Sequence, residues 1–99
     1  MLECSVVSPF AREVLEDLEG IFLQTVTGER GILTGHIPIV TMLRDGSLVR
    51  LKRSSGDESR LRLERNCFFR FKDDRGIVLT SAYEVEPSTH KSNTNDELR

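Results

Sequence analysis

A histidine inside a glycine-rich run is the chain's best candidate for chemistry. Residues 28–43 read Gly-Glu-Arg-Gly-Ile-Leu-Thr-Gly-His-Ile-Pro-Ile-Val-Thr-Met-Leu. His36 could act there as a general base or a metal ligand, the two tasks for which an imidazole is suited. A metal needs further ligands at short spacing, and no acid or cysteine stands at metal-ligand spacing around it. Cys4, Cys67, His36 and His90 do not form a zinc pattern. Gly28, Gly31 and Gly35 lack the Lys-Ser/Thr that would make the run a phosphate loop. No constellation supports an enzyme, so no catalytic residue, metal or cofactor is expected. What remains is a shaped loop, in which glycines allow unusual backbone angles and Pro38 turns Ile37 toward an extended conformation.

The elements that would hold such a loop read as short strands. Leu2–Ser8 alternates loosely and stops at Pro9. Residues 10–22 are ambiguous. Phe10, Val14, Leu15, Leu18, Ile21 and Phe22 fall at helical spacing, whereas Gly20 and the run Ile21-Phe22-Leu23-Gln24-Thr25-Val26 favour strand. Periodicity by itself favours an amphipathic helix; two strands are what the family resemblance described below implies. Turns are expected at Asp45-Gly46, at Ser54-Ser55-Gly56-Asp57 and at Asp73-Asp74-Arg75-Gly76. Between them Leu61 and Leu63 alternate with Arg60, Arg62 and Glu64, and Phe69 and Phe71 alternate with Arg70 and Lys72. Ile77-Val78-Leu79 reads as a strand covered on both sides. Short strands with frequent turns point to an all-β sandwich or barrel. Residues 87–99 hold one aliphatic side chain, Leu98, and are expected to be a disordered polar tail.

With 99 residues, 37% hydrophobic and 30% charged, the chain fits one soluble globular domain. No segment approaches the roughly 20 apolar residues of a membrane helix. The first residues do not resemble a signal peptide, so the chain is expected to remain in the compartment of its synthesis with Cys4 and Cys67 as buried free thiols. Net charge is −2 but unevenly spread: residues 44–75 hold ten bases and six acids. If the strands alternate as read, Arg50, Lys52, Arg60, Arg62, Arg70 and Lys72 share one side with Phe68. The plain reading is a solvated or aggregation-guarding face. The alternative is a small basic-faced β-barrel binding single-stranded nucleic acid, against which the acidity of the whole chain counts.

The segment Gly28-Glu29-Arg30-Gly31-Ile32-Leu33-Thr34-Gly35-His36-Ile37-Pro38 resembles a glycine loop of the epsilon subunit of F-type ATP synthases. Further stretches are similar to that family: Val6-Val7-Ser8, Thr25-Val26-Thr27-Gly28, Pro38–Leu43 followed by Asp45-Gly46, Phe69-Arg70-Phe71, Gly76–Leu79 and Ala82-Tyr83-Glu84. The likeness spans residues 2–86. It implies a two-sheet sandwich of about ten short strands over residues 1–86, with 87–99 outside it.

The resemblance also implies a role: a non-catalytic rotor subunit of the central stalk, joining the gamma subunit to the membrane c-ring and helping couple proton or other ion translocation to ATP synthesis. Its expected place is the cytoplasmic face of a bacterial inner membrane, or the organellar equivalent, held there only through the complex. Nucleic acid and small-molecule substrates are not expected partners. Carried over by position, Ser8, His36 and Thr41 face gamma, and Glu29 with Arg30 faces the c-ring. Apolar contact is expected from Ile37-Pro38-Ile39. Arg30 stands where the family has an apolar residue, Thr34 replaces a proline, and Asn66-Cys67 replaces paired glycines. The family's C-terminal helical hairpin has no counterpart here, so neither the inhibitory arm nor its ATP binding is expected of these residues.

Overall fold

The computed structural model describes residues 1–86, so the expected polar tail, 87–99, lies outside the described residues. Nine strands follow one another: β1 Leu2–Val7, β2 Arg12–Thr25, β3 Gly28–Ile32, β4 Ile39–Met42, β5 Leu48–Arg53, β6 Glu58–Leu63, β7 Phe68–Lys72, β8 Arg75–Leu79 and β9 Tyr83–Glu86. Their hydrogen-bonded order is β4-β7-β8-β1-β2-β5-β6-β9, with β3 also on β2. Neighbours are antiparallel except β1 and β8, which run parallel.

The stretch after Pro9, where two strands were expected, holds one fourteen-residue strand, β2. Its first half pairs with β1 and its second half with β3 and β5. It therefore belongs to both layers. One layer is β4-β7-β8-β1 with the start of β2; the other is β3, the end of β2, β5, β6 and β9. Counting β2 twice gives the ten strands expected of the sandwich.

Two β-bulges explain the helix-like spacing. Against β1, Leu15 to Leu18 spans what Cys4 to Leu2 spans, one residue too many. Asp17 takes a positive φ of 57° there, a conformation that aspartate tolerates. Against β5, Leu18 to Gly20 faces Arg53 to Lys52, again one too many. Each extra residue shifts the inward parity by one. Leu15, Leu18 and Ile21 consequently all point into the core at a spacing of three, a pattern normally read as one helix face.

Elsewhere alternation is regular, and the core is its product. Leu2, Cys4 and Val6 of β1, Phe69 and Phe71 of β7 and Val78 of β8 meet Leu23, Val49, Leu51, Leu61 and Leu63 from the other layer. The expected turns at 45–46, 54–57 and 73–76 all form. In the β7–β8 hairpin Asp73 and Asp74 both adopt positive φ, 53° and 61°, the handedness that suits a two-residue hairpin turn. Asn66 takes a positive φ of 56°, so it serves at the former glycine position. Tyr83 ties the layers together by donating to Glu13 Oε1 over 3.1 Å.

Cys4 and Cys67 are buried free thiols, as expected. Burial pushes the Cys4 thiol from 9.0 up to about 12. The unfolded thiol ionises first, so its contribution to stability is full below pH 9.0 and is lost as pH rises toward 12. The slope is at most about 1.4 kcal/mol per pH unit. The denaturation midpoint should fall above pH 9.0, and fall less in Cys4→Val; equal pH profiles would refute this.

At Gly76 the two layers approach closely. A Cβ there would sit 2.9 Å from the Phe69 ring and 3.2 Å from Ile21 Cδ1, a side chain of the opposite layer. Gly76→Val should cost about 1–3 kcal/mol in denaturant unfolding through overpacking. An unchanged midpoint would show that Phe69 and Ile21 have room to move.

Candidate functional site

The glycine run splits into a hairpin and a turn. Val26 and Thr27 connect β2 to β3, with Thr25 Oγ1 donating to Gly28 O at 2.6 Å. Glu29 and Arg30 follow on β3, opposite Gln24 and Leu23 respectively. As strand neighbours they project to opposite sides, so the two charges do not form one contact point.

After β3 the chain makes a turn over Leu33–His36, closed by His36 N–H donating to Leu33 O at 3.0 Å. Gly35 occupies its third position at φ +85°, which identifies a type II turn and explains the glycine. Thr34 is the second residue, where proline's fixed φ fits best. Asp74 holds the turn from afar, accepting the Gly35 N–H on Oδ1 at 2.9 Å, while its own carbonyl accepts the Glu3 N–H. His36 is half-buried; its Nδ1 lies 2.6 Å from Ile37 O and its ring meets Phe71 edge-on at 5.9 Å. That is the setting of a packed loop histidine. Among the described residues no group of three or more His, Cys, Asp or Glu could hold a metal.

Ser8 closes the β1–β2 hairpin. Its Oγ accepts from the N–H groups of Phe10 and Ala11 at 3.3 and 3.1 Å. Thr41 sits on β4 in register with Phe69 and faces the rim of the core. Ser8, His36 and Thr41 thus all border the β1–β4–β7–β8 layer without touching. Phe71, against which His36 packs, lies two strands and four residues from Ser8, about 15 Å away by strand spacing. Glu29 and Arg30 lie on the other layer's edge strand. The expected contact sets are therefore spatially distinct.

Exposed apolar side chains also lie away from the Ile37-Pro38-Ile39 stretch. Of Ile37-Pro38-Ile39, Ile39 packs against the core while Ile37 is exposed. Register instead lines up two rows across the outer face of the β1–β4–β7–β8 layer. One runs Met42, Phe68, Leu79, Val7, Arg12; the next runs Val40, Arg70, Ile77, Ser5, Val14. Val40 is 71% exposed, Leu79 48%, Met42 43% and Phe68 42%, all on one continuous face. Neighbouring exposed apolar side chains of this kind mark interaction surfaces. Alternation in β7 hinted at Phe68; assembling the face required four strands in register.

The expected basic face does not exist as one surface. Arg50, Lys52, Arg60 and Arg62 point outward from β5 and β6, whereas Arg70 and Lys72, with Phe68, point outward from β7 on the opposite layer. The four on β5 and β6 are matched by acids: Arg50 and Arg60 with Glu58 at 3.3 and 2.9 Å, Arg62 with Glu86 at 3.0 Å, Lys52 with Glu19 at 3.7 Å. Arg50 also lies 4.9 Å over the Phe22 ring. Phe22 itself covers Gly20 and Gly31, where a Cβ would meet it at 2.9 and 3.2 Å. This outer face is closed by its own side chains, and the nucleic-acid alternative loses its basis.

The family model for the ATP synthase delta/epsilon chain, β-sandwich domain, matches residues 1–86. The ATP synthase epsilon chain of Anoxybacillus flavithermus is 35% identical over 83 residues, 84% of this chain and 60% of the relative. The chloroplastic epsilon chain of Pylaiella littoralis is 41% identical over 66 residues, 67% of this chain and 48% of the relative. This chain spans about half to three fifths of the length of these curated relatives. Among solved structures, a chain of the Euglena gracilis mitochondrial ATP synthase OSCP/F1/c-ring assembly matches with TM-score 0.75 at 19% identity, covering 83% of this chain and 51% of that one. A chain of the Tetrahymena thermophila mitochondrial ATP synthase central stalk and c-ring matches with TM-score 0.66 at 12% identity, covering 99% and 73%. At these identities the structural likeness speaks for the fold alone.

Thr34→Pro should stabilise the domain by about 0.4–1 kcal/mol, because proline suits the second position of this turn and limits the unfolded chain. Asp74→Ala should cost about 1.5–3.5 kcal/mol, part for the lost bond to Gly35 N–H and part for alanine at a positive φ, with faster amide exchange at Gly35. Destabilisation by Thr34→Pro, or unchanged exchange at Gly35, would contradict this turn geometry.

Proposed function

The chain belongs to the delta/epsilon β-sandwich family of ATP synthases, and from that membership we propose that it is a non-catalytic central-stalk subunit that docks on a gamma-type shaft through the outer face of its β1–β4–β7–β8 layer. The observation that carries this reading is the contiguous exposed apolar surface of Val40, Met42, Phe68 and Leu79. A surface of that kind gains free energy when a partner removes it from water. Ser8, His36 and Thr41 belong to the same layer, but Thr41 and His36 lie on its core side beside Phe69 and Phe71, so the positions carried over from the family as gamma-facing would meet the partner at the rim of the docking face.

Glu29 and the Val26–Thr27 hairpin tip belong to the other layer and are free to reach the membrane c-ring at the same time. Arg30, on the opposite side of β3, supplies a separate contact there. Torque then passes between partners through a packed core. The protein contributes rigidity and position, and the chemistry of ATP synthesis and ion translocation belongs to the rest of the assembly. Its place is peripheral, on the cytoplasmic side of a bacterial membrane or the organellar equivalent, by attachment to that assembly.

The test is association with the gamma subunit of the same organism. Phe68→Asp with Leu79→Asp should weaken the complex by about 2 kcal/mol or more, as expected for central apolar contacts. The two positions are only about half exposed and face each other in register, so paired aspartates also destabilise the sheet, and affinity is compared well below the variant's unfolding midpoint. His36→Ala should weaken binding less while leaving the fold intact. Wild-type affinity in the double variant would overturn this docking face.

A further inference from the structure

At one corner of the same outer face three cations stand together. Arg70 and Lys72 project from β7, and Arg75 is in register with Lys72 on β8. All three are exposed. None takes part in the four ion pairs found among the described residues, whereas every outward cation of β5 and β6 does. A recess of about 280 Å3 lies among Arg70, Lys72, Asp73, Arg75 and Ile77. A second, of about 370 Å3, opens on the other side of Arg70 and Lys72 against Pro38, Ile39, Val40 and Phe71. The nearby acids weaken the field of the corner but do not occupy its cations. Asp74 spends its Oδ1 on the Gly35 N–H, and neither Asp73 nor Glu3, which faces Arg75 in register, is within ion-pair distance of a cation.

We infer that this corner is a carboxylate-binding subsite of the gamma docking face: the partner presents an apolar ridge to Met42, Phe68 and Leu79, flanked by Asp or Glu side chains that seat between Arg70, Lys72 and Arg75. The inference rests on the docking proposed above and adds the chemistry of the partner. Unpaired cations on an apolar surface steer an acidic partner during approach and fix its register after contact. Arginine adds a planar fork that can take a carboxylate through two hydrogen bonds. The opposite face offers no comparable attraction, because its cations already have partners. Only one face of the sandwich then both attracts and fits the shaft.

The experiment measures association rates of the intact chain with gamma across salt concentration, for wild type, for Arg70→Glu/Lys72→Glu/Arg75→Glu, and for Lys52→Glu as a control on the other face. The corner variant should associate about tenfold or more slowly at low salt, with the gap closing at high salt. Lys52→Glu should behave as wild type. Reversing acidic residues on gamma should restore the rate of the corner variant. A normal complex whose rate ignores salt and the corner substitutions would overturn the subsite and leave the apolar docking intact. No complex by any variant, wild type included, would overturn the docking itself. Salt-sensitive binding to anionic vesicles that depends on the corner, beside partner binding that does not, would assign the corner to a lipid surface and overturn the inference.

Discussion

Both layers of the sandwich hang on β2. Its first half completes the β4-β7-β8-β1 layer and its second half founds the β3-β5-β6-β9 layer, so a single chain segment must change direction without leaving the hydrogen-bonded network. Two bulges within five residues make the change. Each twists the strand and shifts its inward parity, which lets Leu15, Leu18 and Ile21 all enter the core. Ile21 then reaches across to the space beside Gly76, where no larger residue fits without displacement. The close approach of the two layers at that point follows from β2's path.

Once folded over, the sandwich has two outer faces of opposite character. Along β5 and β6 the long cations lie beside Glu58, Glu86 and Glu19, and Phe22 covers two glycines under Arg50. Exposed ion pairs of this kind add little stability, with a median of about 0–1 kcal/mol. Their effect is to leave little unmatched charge. Along β4, β7 and β8 the outward positions are apolar in the middle and cationic at one corner, with no ion pair among the described residues to match them. That asymmetry supports a docking role for one face and a solvated role for the other.

Local features were readable from the residues. Asp45-Gly46 and Asp73-Asp74 act over two positions, and each turn formed where those residues called for it. Gly35 has a local reason too, since only one position of its turn needs positive φ. The outer faces were less legible because they depend on register between strands distant in sequence. Alternation placed Arg70 opposite Phe69 and Phe71 correctly, but could not say that β7 and β5 belong to different layers. Six cations assigned to one side were therefore divided between two. β2 was hidden for a related reason: bulges spaced to bring every third residue inward imitate a helix. The thirteen residues after Glu86 lie beyond what the structure describes.

The central claim is that the shaft sits on the β1–β4–β7–β8 face. The most direct measurement is methyl NMR of the labelled chain during titration with gamma. The account predicts shifts or broadening at Val7, Val14, Val40, Met42, Ile77 and Leu79, with Leu33, Leu48 and Val85 unaffected. Perturbation confined to Leu33, Leu48 and Val85, with the six apolar-face methyls unchanged, would contradict it.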